Sequence, residues 1–248
     1  MLSAARHQAI SELAVQQGMV SVEQLVHQFK VSGSTIRRDL EQLEKQGLVQ
    51  RVRGGAAGLE SDQLAPTLAG QGVAGRIGRA AAARVSSGET IYLGPGRLTL
   101  ETAKAMAAQN RVTVITSCLE IAHWLANNTR LPVILTGGAV ERPRNRLVGS
   151  LVTHALRSLR ADRVIIEAAG VSPDQGLMDA DLSQAELCRD LVNSPAETIA
   201  LVLPERVGRV GGVFIGPVGD VDVIITGRDA SDAALWDLSQ LGISIVSV

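Results

Sequence analysis

The chain has 248 residues, 46% of them hydrophobic and 20% charged, with 24 Lys/Arg against 25 Asp/Glu. That is ample for a buried core and opposite to the low-hydrophobicity, high-net-charge signature of disorder. The longest stretch free of Asp, Glu, Lys and Arg, residues 63–75, has 13 residues of mixed polarity and cannot span a bilayer, so no membrane partner is expected. No apolar run followed by a small-residue cleavage site opens the sequence, so export is not signalled. Two cysteines, Cys118 and Cys188, cannot supply a disulfide framework, and reduced thiols in a cytoplasmic protein are expected. With four histidines they show no zinc-like spacing, so neither metal nor cofactor is expected. The five aromatics, Phe29, Tyr92, Trp124, Phe214 and Trp236, are too few for a binder that stacks single-stranded bases.

Charge is unevenly placed. Residues 1–58 carry seven Lys/Arg and five Asp/Glu, and six of those basic residues lie between Lys30 and Arg53. Residues 6–53 predict three short helices followed by a hairpin. Ile10, Leu13 and Ala14 repeat at helical spacing, and Gly18 closes that segment. Ser21 has the position of an N-cap, with Gln24 three residues on, for a helix running through Phe29. After the turn 30–33, a third helix buries Ile36, Leu40 and Leu43 and stops at Gly47. Residues 48–55 then alternate and meet Gly54-Gly55, as a short β-wing does. Residues 1–57 form this first domain and 58–73 a linker. From 74 to 248 strand candidates alternate with helices: Thr90–Gly94, Val112–Thr116, Pro132–Gly137, Val164–Ala168, Thr198–Leu203, Asp222–Thr226 and Ile243–Val248, with helices near 75–85, 99–108, 118–127, 150–159, 181–193 and 230–239. The fold class is α/β with a mainly parallel sheet.

With Ile36 and Leu40 inward, Ser32, Ser34, Thr35, Arg37 and Arg38 stand at the positive end of the third helix. Arginine supplies a fork to guanine or an ion pair to phosphate, and hydroxyls serve either purpose. Ser21 precedes the helix that would cross the backbone, while Arg51 and Arg53 share a face of the wing. Charge and periodicity also allow a plain solvated face, with Arg37 and Glu41 as an i,i+4 pair. The run Val31–Leu40 with Leu43-Glu44 and Arg51–Ala56 resembles the winged helix-turn-helix of the DeoR family of bacterial transcriptional regulators, which implies double-stranded operator DNA as partner.

In the larger domain, strand ends carry small polar turns: Gly94, Gly96, Arg97 and Thr99; Thr116 and Ser117; Gly137 and Gly138. Carboxyl ends of strands in open α/β sheets, with helix N-termini beside them, cradle anions. Their order, with Gly149, Gly170, Gly176, Arg206 and Gly208, is similar to the DeoR sensor domain. That resemblance implies a sugar-phosphate-isomerase-like fold that binds a small phosphorylated metabolite, a homo-oligomer, and a regulator, most simply a repressor, rather than an enzyme. The sequence departs from the family pattern at Gly94–Leu98 and Leu203–Gly208, and Glu167 stands where a small residue is common. These losses remove hydroxyls and an acid that would hold a sugar, while Arg97 adds a cation that can grip a phosphate or pair with Glu101.

Two other classes have candidate residues in the sequence. An isomerase-like enzyme carrying a DNA-binding module would draw acids from Glu101, Glu167, Asp179 and Asp181, which show no diagnostic spacing, or from His123 and His154 within helices. A redox sensor would use Cys118 at a helix start, where a lone cysteine is more often a packing residue.

Overall fold

The structure is a computed structural model that describes residues 6–7, 9–10, 13–14, 19–45, 49–52, 54–58, 72–108, 111–142 and 144–248. The chain divides into two compact units, Met1–Leu68 and Ala69–Val248. The expected linker, 58–73, lies mostly outside the described residues.

In the first unit the described positions between 6 and 14 are helical. They precede β1 (Met19–Ser21), α1 (Val22–Phe29), α2 (Gly33–Lys45), β2 (Val49–Val52) and β3 (Gly55–Gly58). Ser21 caps α1: its Oγ accepts the Gln24 N–H at 3.0 Å, satisfying a donor that every helix start leaves open. Lys30 ends α1 in the left-handed region at φ 53° and turns the chain toward α2. The wing forms as its alternation predicts, β2 antiparallel to β3. β1 has no counterpart among the predicted elements, because three residues leave too little periodicity to register. It pairs with β3, giving the order β1-β3-β2. Glycine is needed at 55, since a Cβ there would stand 2.0 Å from the Val20 carbonyl oxygen.

Ile10, Leu25, Ile36, Leu40, Leu43 and Val49 form the core of this unit, each large side chain stabilising it by roughly 1.5–3 kcal/mol. Asp39 shares their face at 5% exposure. Its carboxylate accepts from Arg6 Nε at 2.7 Å and Nη2 at 3.1 Å, and meets His7 Nε2 at 2.8 Å. Burial pushes the Asp39 carboxyl up, but the bonds from Arg6 and His7 outweigh burial and hold it below the usual carboxylate range.

The second unit is a parallel sheet between two helical layers. In order it contains α3 (Val73–Ala82), β4 (Thr90–Leu93), α4 (Arg97–Ala105), β5 (Thr113–Thr116), α5 (Leu119–Asn128), β6 (Val133–Leu135), β7 (Ala139–Glu141), β8 (Arg146–Val148), α6 (Ser150–Ser158), β9 (Arg163–Ala168), β10 (Gly170–Ser172), β11 (Gly176–Asp179), α7 (Leu182–Val192), β12 (Glu197–Val202), β13 (Val213–Gly216), β14 (Val223–Thr226), α8 (Asp232–Gln240) and β15 (Ser244–Ser247). The expected strands and helices are all present, with ends moved by a few residues. Strand alternation splits the core: Ile91, Leu93, Val114 and Ile165 face one layer, Tyr92, Ile115, Val164 and Ile166 the other.

The seven parallel strands lie in the order β15-β14-β12-β9-β4-β5-β6. The chain therefore builds from β4 out to β6, then returns to the other side of β4 with β9. That reversal is the switch point at which an open α/β sheet leaves a crevice beyond its strand ends. Two additions were not predicted: the hairpin β7/β8 and the antiparallel sheet β10-β11-β13. The hairpin folds back on the end of β5, where Leu147 N–H donates to Ser117 O at 2.7 Å and Leu119 N–H to Asn145 O at 3.0 Å.

Candidate functional site

At the start of α2, Ser32 Oγ accepts the Thr35 N–H at 3.2 Å and lies 2.8 Å from both Ser34 Oγ and Thr35 Oγ1. This local cap places hydroxyls at the positive end of the helix. Because Ile36, Asp39 and Leu40 take the inward face, Ser32, Ser34, Arg37 and Arg38 are exposed and Thr35 is half-buried. The structure thus gathers five of the expected DNA-contacting residues within the first turns of one helix. Ser21 is exposed, with its hydroxyl on the start of α1. Arg51 is exposed on the wing; its N–H donates to Glu44 Oε1 at 3.1 Å, and its guanidinium stands 3.9 Å from the same carboxylate. So exposed a pair contributes about 0–1 kcal/mol and yields readily to a phosphate. Arg53 lies outside the described residues.

In the second unit, the parallel sheet brings the expected effector residues to one edge. Gly94, Gly96, Arg97 and Thr99 follow β4, Thr116 and Ser117 close β5, Gly137 and Gly138 follow β6, Gly170 begins just past β9, and Arg206 comes after β12. The hydroxyls there turn inward. Thr99 donates to Gly96 O at 2.9 Å, and Thr116 donates to Leu93 O at 2.7 Å while accepting the Cys118 N–H at 3.0 Å. Ser117 Oγ lies 3.0 Å from the Tyr92 hydroxyl. All three are fully buried. Of the two cations expected here, Arg206 is exposed and Arg97 half-buried.

Glu167, at the end of β9, crosses the switch point: its Oε2 accepts the Leu98 N–H at 2.7 Å. Gly96 leaves the room for it, since a Cβ at that residue would stand 2.4 Å from the same oxygen. On the next strand end, burial pushes the Cys118 thiol up, and the N–H groups of Ile121, Glu120 and Gly96 draw it down by less. The Leu98 amide at the start of α4 is thus turned to a carboxylate of the chain itself.

The remaining candidates have internal partners. Glu101 pairs with Lys104 at 2.7 Å rather than with Arg97. Asp181 caps α7 by accepting the Gln184 N–H at 2.9 Å and takes Arg146 Nη2 at 2.5 Å; Asp179 accepts the Asp181 N–H at 2.9 Å. Burial raises the Asp179 carboxyl, whereas at Asp181 the bonds from the Gln184 N–H and Arg146 overcome burial and lower it. Arg146, only 2% exposed, also bonds Glu141 across the hairpin and reaches Gln184 Oε1 at 3.4 Å. Sequence reasoning missed this guanidinium, whose one signal is its place opposite Glu141 in the hairpin register. His123 and His154 are exposed on helices. Burial pushes the Cys188 thiol up to about 12. Among the described residues no group of three or more His, Cys, Asp or Glu could hold a metal, and no helix is long and apolar enough to cross a membrane. A cleft of about 370 Å³ opens between α6 and α7, lined by Leu156, Arg157, Arg160, Leu187 and Asp190 and floored by Tyr92 and Ile115 of the sheet.

A helix-turn-helix with a wing, followed by a parallel α/β unit whose strand order reverses between β4 and β9, defines a DNA-binding regulator with a sensor domain. Residues 6–62 match the DeoR-like helix-turn-helix domain and residues 75–228 the DeoR C terminal sensor domain. The chain belongs to the DeoR family of transcriptional regulators. It is 32% identical to the HTH-type transcriptional regulator YgbI of Escherichia coli K12, over 99% of this chain and 98% of that protein. It is 29% identical to the glycerol-3-phosphate regulon repressor of the same strain, over 89% of each. Among solved structures it is similar to ribose 5-phosphate isomerase A from Methanocaldococcus jannaschii, with 14% identity, TM-score 0.39, and 52% and 51% of the two chains covered.

Proposed function

We propose that the chain is a cytoplasmic repressor of a metabolic operon, controlled by a small phosphorylated metabolite. In this reading residues 1–57 bind operator DNA, 58–73 link, and 74–248 sense the effector and hold a homo-oligomer together. The observation that carries it is the exposed row Ser34, Arg37 and Arg38 on the opening turns of α2, its rotation fixed by Ile36, Asp39 and Leu40 inside. Arg37 reads a base edge, Ser32, Ser34, Thr35 and Arg38 hold phosphate, and Ser21, Arg51 and Arg53 meet flanking backbone. One winged helix reads a short half-site, so specific control asks for a symmetric assembly.

The effector is held at the carboxyl edge of the sheet, its phosphate met by Arg97 and Arg206 and its polar groups by the turns at Gly94, Gly96, Gly137, Gly138 and Gly170. The buried hydroxyls of Thr99, Thr116 and Ser117 shape those turns. The name of one relative, a glycerol-3-phosphate regulon repressor, supports both repression and a phosphorylated effector. The sensor works by binding rather than catalysis, in keeping with the internal partners of Glu101, Asp179 and Asp181. To change DNA affinity, the effector must bind the two arrangements of the assembly with different strength.

The test is a titration of labelled DNA from upstream of the protein's own gene, at fixed salt because affinity falls steeply with it. Phosphorylated sugars and their unphosphorylated parents are added in turn. Specific binding released by a phosphorylated compound alone supports the reading. Release by a parent compound overturns the phosphate, and absence of specific binding overturns the regulator.

A further inference from the structure

The start of α4 is a place where a phosphate is readily received. It lies at the switch point between β4 and β9, follows a glycine turn, and has no acidic residue in its first turn and no side-chain cap from its own N-cap residue, Gly96. Yet the place is taken. The Glu167 carboxylate, carried in on the neighbouring strand, accepts the Leu98 N–H at 2.7 Å, and the missing Cβ at Gly96 is what admits it. A carboxylate here answers the helix dipole as a ligand phosphate would. Being tethered, it does so without the entropy that a free anion loses on binding. A second anion in the same place would also face its charge.

We infer that Glu167 is a specificity-determining residue: a built-in anion that fills the α4 N-terminus and bars a ligand phosphate from it. The inference rests on reading the second unit as a sensor and narrows what that sensor takes. The effector's phosphate is then met by side-chain cations at the rim, such as Arg97, while the part of the ligand nearest Glu167 is uncharged or donates hydrogen bonds. An effector whose phosphate must sit on the α4 amides is refused.

The experiment uses the full chain and inorganic phosphate as probe, followed by the amide resonances of Leu98 and Gly96 in deuterated, nitrogen-labelled protein. In wild type these amides stay unmoved as phosphate is raised. In Glu167→Ala they move saturably, with apparent affinity at least roughly tenfold tighter than any wild-type response. Saturable movement of Leu98 in wild type overturns the inference, as does a folded Glu167→Ala whose Leu98 ignores phosphate. Should that variant fail to fold, wild type decides alone: an unmoved Leu98 supports the barrier and a moving one refutes it. Operator binding by wild type, measured separately by fluorescence anisotropy, fails only if the regulator reading fails and leaves the Leu98 result standing.

Discussion

Two helices of this chain, α2 and α4, start alike and finish with opposite uses. Each follows a short turn and carries the positive end of a helix dipole. α2 is capped from within its own turn by Ser32, and Ser34, Arg37 and Arg38 stand exposed. α4 draws its cap from Glu167, 69 residues further along the chain, and the hydroxyl of its first turn, Thr99, bends back onto Gly96. A locally capped helix start keeps its outward face for a partner. One capped from a distant strand is closed, and its donors belong to the fold. The same polar residue types therefore stand exposed in one unit and form an internal joint in the other.

The comparison is broken most forcefully at the device that orients α2. Asp39→Ala removes the buried carboxylate that takes three bonds from Arg6 and His7, and should cost the first unit about 3 kcal/mol in thermal or urea unfolding. The pH dependence has a definite sign. Since the folded-state pKa of Asp39 is lowered, its contribution is present above the unfolded value near 4 and is lost as pH falls through the lowered one. The acid limb of the unfolding profile should accordingly flatten in Asp39→Ala. An unchanged midpoint and acid limb would show that Asp39 does not fix the helix.

At the sensor edge, Arg97→Ala should raise the effector concentration needed for operator release by roughly tenfold or more, as loss of a charge-assisted phosphate contact does. An unaltered response in the same anisotropy titration would place the phosphate elsewhere. A smaller effect is expected at the closed helix: Glu167→Ala loses the cap of α4 and should lower stability by about 1 kcal/mol, whereas Glu167→Gln, which keeps a carbonyl acceptor, should lose less. Equal losses would mean that Leu98 does not depend on that acceptor. Least of all should happen on alkylation. Burial raises both thiols, Cys188 to about 12, so iodoacetamide should leave the native mass unchanged and label both cysteines only after unfolding. Rapid labelling of the native chain would reopen the redox reading.

Helix α2 was legible because helical spacing alone turns Ile36, Leu40 and Leu43 inward and Arg37 and Arg38 out. Alternating strands and helices likewise exposed the parallel sheet, which needs only local pattern. Asp39 was not legible as a buried residue. It lies three residues after Ile36, on the inward face, but its charge argued for solvent, and the partner that settles the matter is Arg6, 33 residues away. Glu167 was visible as an odd residue at a strand end. Its role needs the sheet order that sets β9 beside β4, which no local window contains. The direction of the Thr99, Thr116 and Ser117 hydroxyls, inward to carbonyl oxygens and a tyrosine, is likewise a property of packing. Strands β7, β8, β10, β11 and β13 escaped because three or four residues, several of them glycine, carry no usable period.

The most direct test sets wild type beside Arg37→Ala on two duplexes, the operator and a scrambled sequence of equal length, at matched salt. If α2 reads bases, Arg37→Ala loses roughly 1–3 kcal/mol on the operator and much less on the scrambled duplex, so the preference narrows. Equal weakening on both duplexes, or no change on either, would contradict the assignment of α2 as the reading element.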